Sequence, residues 1–414
     1  MANTEEIIVE LIKSDTILSR HFNGFQLFNL TENKNLIAYN EDLLFTPASN
    51  IKLLTYLTCL HILEDSISSY KYKSTTDTIF IIPQGDPSFL NSNIDSSQLA
   101  FKFLLSQKKT VRILKNFQHD ISALGTGWAW DDSQFSFQCA ISFFPLFGNR
   151  VTFKSTHNLY DINIEPPYFK IHTLSSDTFN TFIKKDDFKN KFYINDRFIP
   201  KSYKVERPFI TSNKLTKLLL QDTLHQNVDI IETGDTYDWP HFKSVPSDSL
   251  YKKILLESDN HVAEQLLLLC SNKTLGYMNT NEIIKFSIDS ILNIDKHDIK
   301  WVDGSGLSRY NLVSPQVFIN VLKNIYKKVG LETIKQLLPA GGNGDTLPSI
   351  FYSEKDWIYA KTGTLSNNFS VSGYIVTDKK QVMAFSFLNN HYITSKKEVS
   401  ESLYKILKKV KNNY

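Results

Sequence analysis

Phe45-Thr46-Pro47-Ala48-Ser49-Asn50-Ile51-Lys52-Leu53-Leu54-Thr55 decides the reading of this chain, because an apolar strand-like run ends there at a proline and a helix-like run begins. Ser49 stands at the start of the expected helix and Lys52 follows three residues later, a spacing that sets an ammonium group beside a hydroxyl on a 3.6-residue period. A serine is a weak nucleophile until a neighbouring base takes its proton. A lysine serves as that base only if burial or nearby positive charge lowers its pKa. Ile51, Leu53, Leu54, Tyr56 and Leu57 surround Lys52 with apolar neighbours, so the sequence predicts a buried lysine, which needs a reason. Ser-x-x-Lys also occurs at Ser68/Lys71, Ser106/Lys109, Ser249/Lys252 and Ser402/Lys405. The bare spacing is more often a solvated helix face, and only its surroundings set Ser49 apart.

Outward from this stretch, Ile7, Ile8, Leu11 and Ile12 give residues 5–12 the pattern of a short amphipathic helix. Residues 22–30 and 36–39 flank the polar turn 31–35 and predict a hairpin leading into the Ser49 helix, which runs to about Leu63. From about Lys73 short strand-like runs take over, at 78–82, 151–154, 168–173, 192–194 and 203–206. Helical patterns return at 212–225, 250–270, 281–292 and 315–329. Strands are expected at 357–364, 370–377 and 381–388, with Asp378-Lys379-Lys380 as a hairpin turn. Residues 395–411 read as a last helix, apolar at Val399, Leu403, Ile406, Leu407 and Val410 and basic opposite. Such a helix can touch a membrane surface, but packing against the preceding strands is the favoured reading. The chain is thus expected to be α+β: one domain from 1–73 and 237–414, and an inserted strand-rich region, 74–236. The insertion divides into two subdomains, about 74–148 with 207–236, and 149–206.

With 414 residues, 42% of them hydrophobic and 21% charged, the chain is an ordinary globular protein of more than one domain. A net charge of +3 is too small to imply nucleic acid or an acidic membrane as partner. Cys59, Cys139 and Cys270 are far apart and share no metal-like spacing, so neither a disulfide framework nor a zinc site is indicated. No run reaches the length of a membrane span, and residues 1–6 lack the basic and apolar regions of a secretory signal.

Two further short motifs carry chemistry. Ser258-Asp259-Asn260 lies between the apolar Ile254-Leu255-Leu256 and the helical 261–265, where a serine or aspartate is equally at home as an N-cap. Lys361-Thr362-Gly363-Thr364 follows Ile358-Tyr359-Ala360 and is the only Lys-Ser/Thr-Gly in the chain. On an inner strand, a lysine and two hydroxyls beside a glycine that admits substrate backbone would suit an extended peptide ending in a carboxylate. An exposed strand start would give the same pattern.

The three motifs in this order are those of penicillin-binding proteins and β-lactamases, and the chain resembles the branch of penicillin-binding protein 4 type D-alanyl-D-alanine carboxypeptidases, peptidase family S13. The resemblance covers most of the chain and extends to Gly85-Asp86-Pro87-Ser88-Phe89, Gly127-Trp128-Ala129-Trp130-Asp131-Asp132, Ala263-Glu264 and Asp303-Gly304-Ser305-Gly306-Leu307-Ser308-Arg309. The long insertion between the first two motifs is also similar. Two departures are Asn367-Asn368, where the family often has a glycine, and Pro83-Gln84, where more glycines are usual.

The resemblance implies a β-lactamase/DD-peptidase-like fold, an antiparallel sheet flanked by helices. It implies that Ser49 attacks the carbonyl of the penultimate D-alanine of a peptidoglycan stem peptide, that Lys52 takes the proton, and that an acyl-enzyme forms and is hydrolysed. The backbone N–H groups of Ser49 and Thr364 would form the oxyanion hole. Ser258 would relay a proton to the leaving amine and Asn260 hold the substrate amide. Lys361, Thr362 and Thr364, with Gly363 beside them, would receive the terminal carboxylate, and Lys361 would favour neutral Lys52 by its charge. Trp128, Trp130, Asp131 and Asp132 are candidates for binding the ammonium-bearing side chain of the stem peptide, and Arg309 its carboxylate; core tryptophans and turn-capping aspartates explain the same residues equally well. β-Lactams would be covalent inhibitors, no metal or organic cofactor is implied, and cell-wall work would place the protein outside the cytoplasmic membrane, its signal segment absent from this numbering. A DD-endopeptidase uses the same acyl transfer. A serine β-lactamase would need a water-activating carboxylate, for which Asp289-Ser290-Ile291-Leu292-Asn293 is only a faint match, taken as structural. A non-catalytic penicillin-binding sensor is the rival from another class.

Overall fold

Phe22–Asn29 pairs antiparallel along its whole length with Val382–Asn390, from Phe22 opposite Asn390 to Asn29 opposite Met383, and so ties the two ends of the chain together. The computed structural model describes residues 4–156, 161–176, 181–195, 201–235, 237–295, 297–341, 347, 349–353 and 357–414. These fall into two units, one of Met1–His61, Tyr251–Asp259 and Ile284–Tyr414, the other of Ile62–Leu250 and Asn260–Ile283.

The first unit is built on a five-stranded antiparallel sheet in the order Ile358–Leu365, Asn368–Val376, Val382–Asn390, Phe22–Asn29, Lys34–Tyr39. The last three strands of the chain form a meander because each turn between them is short. Val382–Asn390 is buried at every position, so both of its faces need cover. Helices Thr4–Ser14 and Lys396–Asn413 supply one cover, packing Ile8, Ile12, Val399, Leu403, Ile406, Leu407 and Val410 against Phe25, Leu27, Val371, Phe385 and Phe387. Each such fully buried side chain contributes about 1.5–3 kcal/mol relative to an exposed one. The apolar stripe of the basic last helix is therefore used by the sheet. Its start is fixed by a reciprocal cap, Glu398 N–H donating to Ser395 Oγ at 3.2 Å and Ser395 N–H to Glu398 Oε2 at 2.8 Å. Helix Pro315–Leu337 also joins the sheet, where Tyr374 Oη donates to the Leu322 carbonyl at 2.8 Å.

The second unit holds a mixed sheet in the order Val228–Thr233, Thr110–Asn116, Thr78–Pro83, Ser66–Ser74, His241–Pro246. Its two parallel pairs require crossovers, supplied by helices Leu99–Gln107 and Asn213–Leu224. Two three-stranded sheets complete it, and Tyr70, Phe89, Phe144, Phe153, Phe169 and Phe192 fill its core.

Several expected elements differ. Residues 168–173 were expected as a strand, but Pro167–His172 is a 3₁₀ helix and only Thr173–Ser175 pairs; Pro166 and Pro167 fix φ and withhold N–H donors at its start. The helical run 281–292 is an α-helix over Thr280–Ser287 continued by a π-helical turn over Ile288–Leu292. The run 250–270 is two helices, Ser247–Leu255 and Asn260–Leu275, parted at Ser258-Asp259. The boundaries of the units also differ from residues 73 and 237, because Ser66–Ser74 pairs with Thr78–Pro83 and His241–Pro246 within one sheet. The three cysteines are buried free thiols. Among the described residues no helix is long and apolar enough to cross a membrane.

Candidate active site

The backbone entering Ser49 is clamped residue by residue. Phe45 exchanges both backbone hydrogen bonds with Val313, at 3.1 and 2.9 Å. Asn390 accepts from Thr46 N–H at 2.7 Å and donates to the Thr46 carbonyl at 3.0 Å. Ser370 Oγ donates to the Pro47 carbonyl at 2.5 Å, and buried Asn50 donates to Ser372 Oγ at 2.9 Å. Ala48, held at φ 50°, turns the chain into the short 3₁₀ stretch Ala48–Ile51 that opens helix Lys52–Ile62. A non-glycine residue in that left-handed region is strained and persists because the surroundings over-determine it.

Lys52 is wholly buried, as its neighbours in sequence predict, while Ser49 is half-buried. Lys52 Nζ donates to Ser49 Oγ at 3.0 Å and to the Ser305 carbonyl at 2.6 Å. That carbonyl belongs to a loop folded around the buried Asp303 carboxylate. Asp303 accepts from Gly306 N–H at 2.9 Å, Ser308 N–H at 2.6 Å and Asn311 Nδ2 at 2.7 Å. Thr55 Oγ1, one turn after Lys52, donates to the Gly304 carbonyl at 2.7 Å. Gly306 sits at φ 81°, where an added Cβ would lie 1.9 Å from the Ala48 carbonyl oxygen, so only glycine fits. Reading motifs alone singled out neither Asp303 nor Ser305 as a site residue; the signal was the density of turn formers in 303–309.

Lys361 lies on Ile358–Leu365, which is an edge strand and not the inner strand expected. Its outer side carries the 339–341 segment, Ala360 N–H donating to the Pro339 carbonyl at 3.1 Å. Among the described residues no strand pairs with 361–365 beyond that point. An edge strand presents the unpaired backbone groups an extended peptide needs. At Gly363 an added Cβ would stand 2.5 Å from the Pro47 carbonyl oxygen and 2.9 Å from Ser49 N, so the glycine admits the protein's own nucleophile segment. Thr362 is buried and Thr364 exposed at the strand end.

Lys361 Nζ donates to Ser258 Oγ and to the Thr362 carbonyl, both at 2.9 Å. Ser258 makes this contact from φ 61°. Burial, then the charge of Lys52 and that of Lys396, push the Lys361 pKa well below its ordinary value.

The remaining candidates belong to both units. Asn260 begins the helix Asn260–Leu275 in the second unit, and its Nδ2 donates to the Phe137 carbonyl at 3.0 Å. Asp132 lies in the 3₁₀ turn Trp130–Gln134 of the same unit. Of the neighbouring tryptophans, Trp128 packs on the core and Trp130 is 78% exposed. Arg309, exposed in the first unit, donates to the Ser366 carbonyl at 3.4 Å.

A serine hydroxyl bonded to one buried lysine, and a serine hydroxyl bonded to a second buried lysine on an edge strand, suit acyl transfer. The sequence matches the D-Ala-D-Ala carboxypeptidase 3 (S13) family over residues 6–195 and 208–410. The chain belongs to this family. D-alanyl-D-alanine carboxypeptidase DacB of Haemophilus influenzae is 27% identical over 164 residues, 36% of this chain and 33% of that protein. Penicillin-sensitive carboxypeptidase A of Dictyostelium discoideum is 23% identical over 441 residues, 86% of this chain and 80% of that one. The crystal structure of penicillin-binding protein 4 from H. influenzae superimposes with a TM-score of 0.75 at 19% identity, over 98% of this chain and 99% of that chain. A penicillin G-acylated predatory endopeptidase of Bdellovibrio bacteriovorus superimposes with a TM-score of 0.51 at 16% identity, over 94% and 90%. The α+β DD-peptidase-like fold is thereby established for this S13 chain. Its departure at Asn367 is accommodated: Asn367 takes φ 66°, the conformation for which glycine is usual and asparagine tolerated, and its Nδ2 donates to the Tyr392 carbonyl at 2.9 Å.

Proposed function

We propose that this S13 chain is a serine D-Ala-D-Ala carboxypeptidase that shortens peptidoglycan stem peptides through an acyl-enzyme on Ser49. The observation that carries the reading is the Lys52 ammonium nitrogen, buried and 3.0 Å from the half-buried Ser49 Oγ. Ser49 Oγ attacks the carbonyl of the penultimate D-alanine as Lys52 accepts its proton. The tetrahedral oxyanion is met by the N–H groups of Ser49 and Thr364, each such donor being worth about 10²–10³ in rate. Ser258, bonded to Lys361, passes a proton to the departing D-alanine amine. Thr362, Thr364 and Lys361 receive the terminal carboxylate. Water then attacks the ester and frees Ser49.

Lys361 loses charge readily, and of two buried ammonium groups near one another one is neutral at lower cost than both charged. The pair therefore carries one positive charge; with it on Lys361, where the substrate carboxylate arrives, Lys52 is neutral and accepts the Ser49 proton. Benzylpenicillin, a strained acyl donor, traps Ser49 as a persistent ester. A cross-linked peptide amine in place of D-alanine makes the same chemistry an endopeptidase. Asp289 and Asn293 face solvent, which speaks against their serving as the water-activating pair of a β-lactamase. Since the substrate is cell wall, the protein works outside the cytoplasmic membrane.

The test is intact mass after incubation with benzylpenicillin, together with D-alanine release from a stem pentapeptide. One stable adduct and D-alanine release in the wild type, with neither in Ser49→Ala, is expected. Rapid penicillin turnover without an adduct would point to a β-lactamase, an adduct without D-alanine release to a sensor, and an adduct on Ser49→Ala would remove Ser49 from the reaction.

A further inference from the structure

The second unit contains a cavity of about 260 Å³ to which three different elements bring cations. Lys71 comes from strand Ser66–Ser74, Lys243 from His241–Pro246 and Lys273 from helix Asn260–Leu275. Glu64 is the carboxylate in its wall, accepting from Lys243 at 2.7 Å and Lys273 at 2.6 Å. Those two ammonium groups hold Glu64 at a pKa of about 2, so it stays charged and cancels one of the three cations. Lys71 has no carboxylate partner among the described residues and only a long 3.4 Å approach to the Tyr237 carbonyl. A second cavity of about 130 Å³ shares Lys71, Gln84 and Asn272 with the first and runs on to Asp235. At the junction Asn272 Nδ2 donates to Gln84 Oε1 at 3.0 Å, a side-chain amide pair of the kind that bonds peptide groups.

The groove thus has Lys243 and Lys273 with Glu64 at one end, Lys71 with the amides in the middle and a carboxylate at the other end. We propose that it is a second, non-catalytic site that binds an extended peptide with its carboxylates towards the three lysines and an ammonium group towards Asp235. That the peptide is a cell-wall stem peptide rests on the function proposed above; the charge pattern of the groove does not. Binding there would hold the polymer on the second unit independently of acyl transfer on the first.

The test uses the full chain already acylated by benzylpenicillin, so that Ser49 is blocked, and a fluorescently labelled stem tetrapeptide lacking the terminal D-alanine. Saturable anisotropy is expected, weakened about tenfold or more in Lys71→Glu, less in Lys71→Gln, and lost when the peptide carboxylates are amidated. It should also weaken as salt is raised. No saturable binding, or equal binding by Lys71→Glu, would overturn the site. Displacement of the peptide by an equimolar amount of inorganic phosphate would assign the lysines to a phosphate and overturn the peptide reading. Intact mass of the same sample scores acylation separately, so failure at Ser49 is distinguished from failure of the groove. Normal acylation of the Lys71 variants shows that they have folded.

Discussion

Lys361 Nζ and Ser258 Oγ lie 2.9 Å apart although 103 positions separate them in the chain. Ser258 holds its side of the bond from a strained left-handed backbone, and Lys361 holds its side from complete burial. Both costs are paid at the place where proton transfer to the leaving group is proposed.

Removing the buried ammonium separates its cost from its use. Lys361→Met should lower kcat/KM for D-alanine release by about 10²–10⁴ while leaving the fold at least as stable. The pH dependence fixes the sign. The folded pKa of Lys361 lies below 10.5, so between that depressed value and 10.5 the unfolded chain binds more protons than the folded one. Stability then rises with pH across this window. Urea unfolding of the wild type at increasing alkaline pH should show this rise, and Lys361→Met a smaller one. Equal slopes would mean that Lys361 is not depressed.

Asp303 touches no reacting atom in this reading and acts by fixing the loop whose Ser305 carbonyl receives Lys52. Asp303→Ala would strand buried donors at about 1–3 kcal/mol each and should destabilise the chain severely. Asp303→Asn retains shape but sets an amide N–H against backbone N–H groups. It should fold, yet acylate with benzylpenicillin at least about tenfold more slowly, with a displaced pH profile because the Lys52 acceptor has moved. An unchanged profile with a simple loss of stability would reduce Asp303 to a structural role.

Gly306→Ala tests how tightly the loop and the nucleophile turn meet. The methyl group would stand 1.9 Å from the Ala48 oxygen at a φ of 81°, and neither backbone can yield without moving Ser49. A loss of about 2–3 kcal/mol in stability is expected, with a fall in acylation rate measured on the folded fraction. Wild-type acylation would show that the turn before Ser49 tolerates displacement.

At Asn367 two opposing terms should nearly cancel. Glycine relieves the strain of φ 66° but loses the bond to the Tyr392 carbonyl, so Asn367→Gly is expected within about 0.5 kcal/mol of wild type. Asn367→Ala keeps the strain and loses the bond, and should cost about 1–2 kcal/mol. Chemical denaturation of the two variants gives the comparison directly.

The sequence by itself determined the local pieces whose physics is local. Three-residue spacing on a helical turn put Lys52 beside Ser49, apolar neighbours foretold the lysine's burial, and alternation with a short polar turn gave the strands on either side of Asp378-Lys379-Lys380. Order and company of the three motifs then gave the family. The tertiary structure decided what depends on residues distant in the chain. Edge or centre was invisible for Ile358–Leu365, because the alternation of a strand carries no record of its neighbours. The purpose of Gly363 was invisible because the backbone it admits lies more than 300 positions away. The Lys52 acceptor is a carbonyl, a group every residue owns, so no side-chain motif announces Ser305; only the fold around Asp303 selects it. The lowered pKa of Lys361 likewise depends on burial and on the charge of Lys52, quantities that exist only once the chain has closed.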